Sequence, residues 1–137
     1  MYFFDSNLII EFLRGRLPLG LKLLENTDSR LIKIPAIVEA ELLVGAYKSN
    51  NPDKNELAVE SLLCNFEIVP FDSKCARIYA RIRAQLESAG TKIGPNDLVI
   101  AATALAYDAT LATNNVKEFK RIPNLKLLSL SEVELTD

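Results

Sequence analysis

The sequence predicts an α/β fold, with a central parallel sheet of four to five strands flanked by helices in three layers. Short apolar segments of strand character alternate with longer segments of helical periodicity along the 137 residues. Because strands separated by helices are joined by crossover connections, they pair in parallel and are covered on both faces. The length is that of one ordinary domain, and no repeat or linker interrupts it, so we expect residues 1–137 to form a single domain.

An aromatic run near the amino terminus predicts the first strand, Tyr2–Phe4, which Asp5 ends. A helix is expected next, over residues 8–13, because apolar residues dominate this segment. Ser6 or Asn7 can cap that helix, since both side chains can accept a hydrogen bond from the backbone of its first turn.

Prolines and polar turns divide the middle of the chain into further elements. Pro18 and Pro35 each stand at the start of an apolar segment, as proline does in the first turn of a helix. A polar turn over residues 49–53 separates two of the helices. The predicted elements are helices over residues 19–25, 35–47 and 54–64 and strands over residues 31–34 and 67–69.

The second half of the chain contains the most regular predicted helix, residues 73–89. Its apolar residues recur every three or four positions, and Gly90 ends it. Asn96 suits the cap of the alanine-rich helix that follows. The remaining predicted elements are a helix over residues 97–107, a strand over 110–112, a short helix over 116–119 and a strand over 126–128.

The composition excludes several classes of enzyme. The chain has no histidine, which removes Ser-His-Asp and Cys-His catalysis and histidine-ligated zinc. Its two cysteines, Cys64 and Cys75, are too few for a disulfide framework or a zinc site, and we expect both to be small core residues. No export signal and no membrane-length apolar run stand in the sequence, so we expect a cytoplasmic protein.

The charge balance limits how the chain can bind nucleic acid. A net charge of −2 and a pI of about 5.3 argue against binding through global charge, so any contact with RNA or DNA needs a local basic patch or a metal ion. Arg77 and Arg81 are four positions apart and share a helix face. Together with Arg14 they are the predicted phosphate contacts, with solvated surface charge as the alternative for each.

Acidic and amide side chains occupy comparable places in the predicted fold. Asp5 and the segment from Asn115 to Glu118 each follow a strand, where ligands bind in open α/β sheets. Glu41 shares a helix face with apolar residues, and Asp97 opens a helix in line with small alanines. Each alone has a structural alternative, a helix cap or an ion pair, but together they predict one site.

Carboxylates that converge without histidine or cysteine offer only hard oxygen ligands, which suit Mg²⁺ or Mn²⁺. Without a metal such carboxylates repel one another. We therefore expect at least one of them to have a raised pKa.

Six short motifs are spread over nearly the whole chain. They are YFFDSN (2–7), ELLVGA (41–46), VPFD (69–72), IGPNDLVIAA (93–102), TLATNN (110–115) and EFKRIP (118–123). In combination they resemble the PIN-domain ribonucleases, and most closely the VapC toxins of toxin–antitoxin pairs. The resemblance implies a PIN-like three-layer sandwich and an endoribonuclease that depends on Mg²⁺ or Mn²⁺. It also implies a homodimer and inhibition by a small VapB-like antitoxin encoded beside the toxin.

The resemblance also implies roles for three acids. Asp5, Glu41 and Asp97 match the family's catalytic positions, with Asp5 and Asp97 as metal ligands. In the hydrolysis of an RNA phosphodiester bond, Glu41 would orient the attacking water or act as its base. We expect the RNA to be single-stranded or looped at the cut, because bases are accessible there.

Other family positions carry supporting residues. Ser6 stands where the family usually has threonine and keeps the hydroxyl, Asn7 follows it, and Thr113 belongs to the turn after a strand. The family's fourth acid falls on Asn115 here, and Glu118 is the nearby carboxylate that could replace it. The sequence does not decide between these two, nor between one metal ion and two.

Other functions remain open from the sequence. A catalytically inactive PIN-fold binding module is one, because Asn115 stands where an acid is usual. A phosphoryl-transfer domain with Asp5 as nucleophile is another, although such domains usually need a second aspartate at the position of Asn7. A DNA nuclease of similar architecture is a third, since no residue is identified that reads the 2′-hydroxyl.

Overall fold

The computed structural model describes residues 1–15 and 27–129, and in these ranges five strands form one parallel sheet. The strands are β1 (Tyr2–Phe4), β2 (Ile32–Pro35), β3 (Glu67–Val69), β4 (Thr110–Thr113) and β5 (Lys126–Ser129). Their order across the sheet is β3-β2-β1-β4-β5, and all four pairs are parallel. The predicted parallel sheet is confirmed, with the first strand of the chain at its centre.

Helices connect the strands. The described ranges contain α1 (Ser6–Leu13), α2 (Ala36–Tyr47), α3 (Pro52–Leu63), α4 (Ser73–Ser88), α5 (Pro95–Ala106), α6 (Val116–Phe119) and a short 3-10 helix (Ser29–Leu31). These helices pack in pairs, α2 against α3 and α4 against α5. The helix predicted over residues 19–25 lies outside the described residues. Of the helices in residues 1–15 and 27–129, none is long and apolar enough to cross a membrane.

The start of α1 differs from the prediction. The cap is Asp5, whose Oδ1 accepts a hydrogen bond of 3.0 Å from the backbone N–H of Leu8. Ser6 and Asn7, predicted as caps, are instead the first two residues of the helix. The helix begins earlier than predicted because the acid that ends β1 also satisfies the backbone of the first turn.

The start of α5 also differs from the prediction. Gly94 is the capping residue and Pro95 is the first residue of the helix, so Asn96 is not the cap. Proline has no backbone N–H to satisfy and its φ angle suits the helix, so it favours the first position. The side chain of Asn96 is thereby free for a contact outside its own helix.

Both faces of the sheet are covered. Phe3 and Phe4 are consecutive in β1 and point to opposite faces, yet their exposed fractions are 0% and 4%. On α5, Ala101 and Ala104 are completely buried, and their small side chains allow close packing. The predicted inward stripe of α5, which Asp97 begins, is therefore confirmed.

The two cysteines have different environments. Cys75 is buried, as expected, whereas Cys64 is exposed, so the prediction that both lie in the core is wrong. Cys64 is the residue that ends α3, where the chain turns toward β3. A helix end at the surface has no apolar neighbour on its outer side, which the residue type alone does not reveal.

Candidate active site

Asp5 is fixed at the carboxyl edge of the sheet by two donors. Phe4 of β1 pairs with Ala112 of β4, so the next residues, Asp5 and Thr113, are neighbours across the two strands. The Thr113 hydroxyl donates to Oδ2 of Asp5, and the Leu8 N–H donates to Oδ1. Asp5 is only 4% exposed, and burial raises its pKa despite the opposing effect of both hydrogen bonds.

Thr113→Val is expected to destabilise the protein by about 1–3 kcal/mol near neutral pH, because it leaves a buried carboxylate without one of its donors. The folded-state pKa of Asp5 lies above its ordinary value and would rise further in the variant. The charged Asp5 carboxylate therefore lowers the free energy of unfolding above that pKa. This loss becomes smaller as the pH drops and Asp5 is protonated. Urea unfolding near pH 7.5 and near pH 4 measures this difference.

Thr103→Val is the matched control for this prediction. Thr103 is also buried, but its hydroxyl donates to the backbone carbonyl of Val99 within α5, which is a neutral acceptor and not a carboxylate. We expect a smaller loss of stability that does not depend on pH. Equal, pH-independent losses in the two variants would contradict the role given to the Thr113 hydroxyl.

Glu41 is held by donors from two other helices. It lies half-buried on α2, where Ser6 Oγ of α1 donates to Oε1 at 3.0 Å. Asn96 Nδ2 of α5 donates to Oε2 at 3.3 Å. The carboxylate of Glu41 is therefore oriented at the meeting point of α1, α2 and α5.

Asn115 and Glu118 form one unit at the start of α6. Asn115 Nδ2 donates to Glu118 Oε2 at 2.9 Å, and the Gly94 N–H donates to Oε1 at 3.1 Å. These two hydrogen bonds lower the pKa of Glu118, that from Asn115 most. The backbone N–H of Asn115 also donates to Thr113 Oγ1 at 2.9 Å. Asn115 thus positions Glu118 and connects it to the hydroxyl that holds Asp5.

Asp97 lies within the electrostatic field of the other three acids. Its pKa is raised to about 6, first by burial and then by the charges of Glu118, Asp5 and Glu41. A methyl group at Gly94 would be 3.9 Å from both Asp97 Oδ2 and Glu118 Oε1, so these two carboxylates flank the same residue. Within the described ranges no hydrogen bond is donated to the Asp97 carboxylate. The expected raised pKa therefore occurs at Asp97, which has no donors among the described residues, as well as at the buried Asp5.

The four acids form a cluster and not a closed cation cage. Among residues 1–15 and 27–129, no three acidic or cysteine side chains lie close enough together to enclose an ion. The hydrogen bonds described above explain the spacing, because neutral donors hold three of the carboxylates apart while like charges repel. The donor set itself consists only of carboxylate oxygens and fits a hard divalent cation.

Comparison with known proteins identifies the family. The family model described as PIN domain matches residues 2–125. The chain belongs to the PIN-domain family. Ribonuclease VapC2 of Rickettsia felis is 49% identical over 96 residues, which cover 70% of this chain and 72% of that protein. The tRNA(fMet)-specific endonuclease VapC of Salmonella typhimurium is 32% identical over 126 residues, which cover 92% of this chain and 95% of that protein.

A solved structure supports the same assignment. This PIN domain superimposes with a TM-score of 0.85 and 39% identity on a chain from the crystal structure of VapBC2 from Rickettsia felis bound to a promoter DNA fragment. The match covers 93% of this chain and 97% of the other. Within the PIN-domain family the chain is therefore of the VapC type.

The remaining predicted site residues of this PIN domain lie at different distances from the acids. Asn7 is exposed on α1, and Arg14 is exposed at the end of that helix, in a groove that Glu41 also lines. Arg77 and Arg81 are exposed on α4, about 16 and 10 Å along the axis before its last residue. Neither arginine forms a hydrogen bond or an ion pair with the acids in the described ranges, and their contact with RNA stays a prediction.

Several site residues were missed by the sequence analysis. The Gly94 N–H and the Asn96 side chain hold Glu118 and Glu41, although Asn96 was interpreted as a helix cap. Arg121 is one of several basic residues that the sequence offers for contact with nucleic acid, and its role beside the acids was not predicted: its charge lowers the pKa of Glu118 and its Nη1 donates to the Lys92 carbonyl at 3.0 Å. The adjoining glycine and proline in IGPND were the available signal, because they mark a tight chain segment directly before Asp97.

Proposed function

We propose that this VapC-type PIN domain is a metal-dependent endoribonuclease, a toxin that hydrolyses RNA phosphodiester bonds. The observation that carries the proposal is the environment of Asp97, a half-buried carboxylate without hydrogen-bond donors in the described ranges and surrounded by three other acids. Among the carboxylates of the cluster, Asp97 is the one that a bound cation would stabilise most. The names of the relatives, ribonuclease and endonuclease, support RNA as the substrate.

Mg²⁺ or Mn²⁺ is the proposed cofactor. Asp5 and Asp97 would hold the ion, and Glu118 supplies the fourth carboxylate that Asn115 lacks. A bound divalent ion of this kind acts as a Lewis acid toward phosphoryl oxygens and lowers the pKa of water. The absence of histidine from the chain favours these oxygen-binding ions over zinc.

The chain's own residues would position the reacting groups. Glu41 is oriented by Ser6 and Asn96, and we assign it the role of orienting the attacking water or accepting its proton. A fixed orientation of the Glu41 carboxylate matters because a general base must lie within hydrogen-bond distance of the water whose proton it accepts. The donors to Asp5 in turn fix the carboxylate that lies deepest in the sheet.

The competing functions receive less support from the site. A phosphoryl group bonded to Asp5 would have to fit in a buried place where both carboxylate oxygens already accept hydrogen bonds, whereas a metal ion needs only a remaining lone pair on one of these oxygens. An inactive binding module was considered because Asn115 replaces an acid. Since Glu118 lies beside Asp97 and Asn115 orients it, the cluster retains four carboxylates.

The substrate proposed here is a single-stranded or looped region of RNA in the cytoplasm. Bases in such regions are unstacked and can approach a protein site, whereas the grooves of an RNA helix are difficult to read. The Salmonella relative is named for its action on tRNA(fMet). Loops of tRNA are therefore the first substrates to test.

We also propose that a VapB-like antitoxin segment binds beside the acids. A groove of about 320 Å³ lies between α1, α2 and α3 and reaches Glu41. Its lining is largely apolar and includes Ile10, Leu13, Leu42, Ala46 and Val59. A bound apolar helix or strand would cover Glu41 and block access to it. The name of the Rickettsia complex, VapBC2, supports a partner of this kind, and the homodimer stays a prediction.

The nuclease proposal predicts discrete cleavage of a pool of tRNA and ribosomal RNA by the purified protein in Mg²⁺ or Mn²⁺. Chelator should stop the reaction, and Asp5→Asn should lower the rate by about 10²–10⁴-fold because a charged group of the site is lost. Gel electrophoresis and sequencing of the fragment ends measure both effects. Persistent, metal-independent cleavage, or equal cleavage by the variant, would contradict the proposal.

A further inference from the structure

A second cavity lies on the other side of the segment that precedes Asp97. Its volume is about 220 Å³, and it is formed by the second half of α4, the start of α5 and the chain between them. The lining includes Tyr79, Arg83, Leu86, Lys92, Ile93 and Pro95. Neither the catalytic residues nor the proposed antitoxin groove account for this cavity.

The cavity and the acids share one thin wall. Lys92, Ile93 and Pro95 line the cavity, while Gly94 between them donates its N–H to Glu118 on the opposite side. A side chain added at Gly94 would point toward Asp97 and Glu118. A single extended stretch of backbone therefore separates the cavity from the acidic cluster, so one RNA strand could reach both.

The lining of the cavity contains an aromatic ring and a guanidinium that contact each other. Arg83 Nη1 donates to the Tyr79 hydroxyl at 3.0 Å, and the guanidinium carbon lies 6.0 Å from the centre of the tyrosine ring. Phe71 contacts the same ring edge-on, with centroids 6.0 Å apart and an interplanar angle of 89°. Unpaired RNA bases stack on aromatic rings and on arginine planes, so this pair suits a base.

Basic side chains lie beside the shared wall. Glu87 pairs with Arg83 at 2.8 Å and offsets that charge, and the charge of Lys92, an exposed residue, also lowers the pKa of Glu87. Arg121 donates to the Lys92 carbonyl, is also exposed, and lowers the pKa of Glu118 through its charge, so one cation lies beside the wall on the side of the acids. A strand of RNA needs such cations beside four carboxylates, because its phosphates would otherwise be repelled.

We infer that this cavity binds one unstacked base of the RNA next to the scissile phosphate, with Lys92 and Arg121 contacting the neighbouring phosphate. The inference rests on the proposed function, since it takes RNA as the substrate. A volume of about 220 Å³ is below the ~300–1,000 Å³ of pockets for drug-sized ligands and suits one ring system. The residues assigned here are specificity residues and take no part in the chemistry.

Binding can be measured apart from cleavage. The probe is a fluorescein-labelled single-stranded RNA of about eight nucleotides, in four homopolymer versions, bound to Asp97→Asn protein in chelator. In that background Tyr79→Leu should weaken binding about 10- to 100-fold, the loss of one base stack, whereas Tyr79→Phe keeps the ring and should bind nearly as before. Lys92→Glu should weaken binding and reduce its salt dependence.

Tyr47→Leu is the matched control. Tyr47 is exposed on α2, outside the cavity, and its removal should leave RNA binding unchanged. Equal affinities of Tyr79→Leu and its parent would overturn the inference, as would equal losses in the Tyr79 and Tyr47 variants. Circular dichroism verifies that each variant is folded.

Photo-crosslinking of the unsubstituted protein keeps the test independent of variant folding. The same RNA carrying 4-thiouridine, bound in chelator, should crosslink to the peptide that contains Ile93 and Pro95 or to that of Tyr79. Crosslinks confined to the groove near Arg14 would overturn the inference. If the protein binds RNA through Tyr79 but cleaves none with metal, the nuclease proposal fails, whereas the assignment of this cavity to an RNA base stands. If the unsubstituted protein cleaves RNA and the Tyr79→Leu variant cleaves it equally well, the nuclease proposal stands and the inference about the cavity fails.

Discussion

Asp97→Asn is expected to abolish RNA cleavage and, at the same time, to stabilise the metal-free protein. The rate should fall by about 10²–10⁴-fold, because the substitution removes the charged group at the centre of the cluster. The stability should rise, because a carboxylate that has no donors among the described residues and faces three other acids is replaced by a neutral amide.

The stability gain depends on pH in a defined direction. The pKa of Asp97 is raised from 3.8 to about 6, so between these values the folded protein keeps a proton that the unfolded chain has lost. The charged form therefore lowers the free energy of unfolding, fully above about pH 6 and not at all below about pH 4. Such a rise in pKa corresponds at most to ~3 kcal/mol, and solvent screening of this half-exposed group reduces the expected gain to about 1 kcal/mol.

Urea unfolding in chelator, near pH 7.5 and near pH 4, measures the gain. Asp53→Asn is the matched control, because Asp53 also lies in the first turn of a helix that begins with proline but is exposed. The control should gain no stability at either pH. A variant at Asp97 that loses stability at both pH values would show that the carboxylate is not under the electrostatic strain described here. Full cleavage activity in that variant would remove Asp97 from the proposed machinery.

Divalent metal is expected to stabilise the protein against heat to a large extent. An ion present at about 100 times its dissociation constant adds ~2.7 kcal/mol to the free energy of unfolding, which for a domain of this length is roughly 10 °C in Tm. Because carboxylates must be ionised to bind, the effect should be larger near pH 7 than near pH 5, where Asp97 is largely protonated. Thermal unfolding with Mn²⁺, Mg²⁺ and chelator gives the measurement.

The same experiment separates the two candidates for the fourth position. Glu118→Gln should reduce the metal-dependent rise in Tm, since it removes a carboxylate beside Asp97. Asn115→Ala should have a weaker effect, because it removes only a donor that orients Glu118. A rise in Tm that is unchanged in Asp5→Asn and Asp97→Asn would place the ion elsewhere. No rise in the unsubstituted protein would favour the inactive binding module.

The sequence predicted the sheet and the place of each acid because these depend on periodicity. Strands that alternate with helices must pair in parallel, and residues after β1 and β4 must therefore meet at one edge. The spacing could not show that Asp5 both caps α1 and accepts from Thr113, since that depends on the register of β1 against β4. The hydrogen bond by which Asn115 orients Glu118 likewise depends on the folded chain at the start of α6.

Basic residues were the least predictable part of the site. The four-residue spacing of Arg77 and Arg81 gives a shared face on α4 but not the distance of that face from the acids. Lys92 and Arg121 stand in segments without periodicity, so no sequence pattern brings them together. The folded chain brings them together, and the Arg121 guanidinium donates a hydrogen bond to the backbone carbonyl of Lys92.

The pairing of β1 with β4 has a consequence for the synthesis of the protein. The hydrogen bond between Thr113 and Asp5 joins residues 108 positions apart, and Glu118 comes later still. A growing chain on the ribosome therefore lacks a complete acidic cluster until most of its length has emerged, because contacts of this sequence separation form only after both partners are available. Under the proposed function, a nascent chain that still lacks β4 and α6 would therefore not yet be an active nuclease.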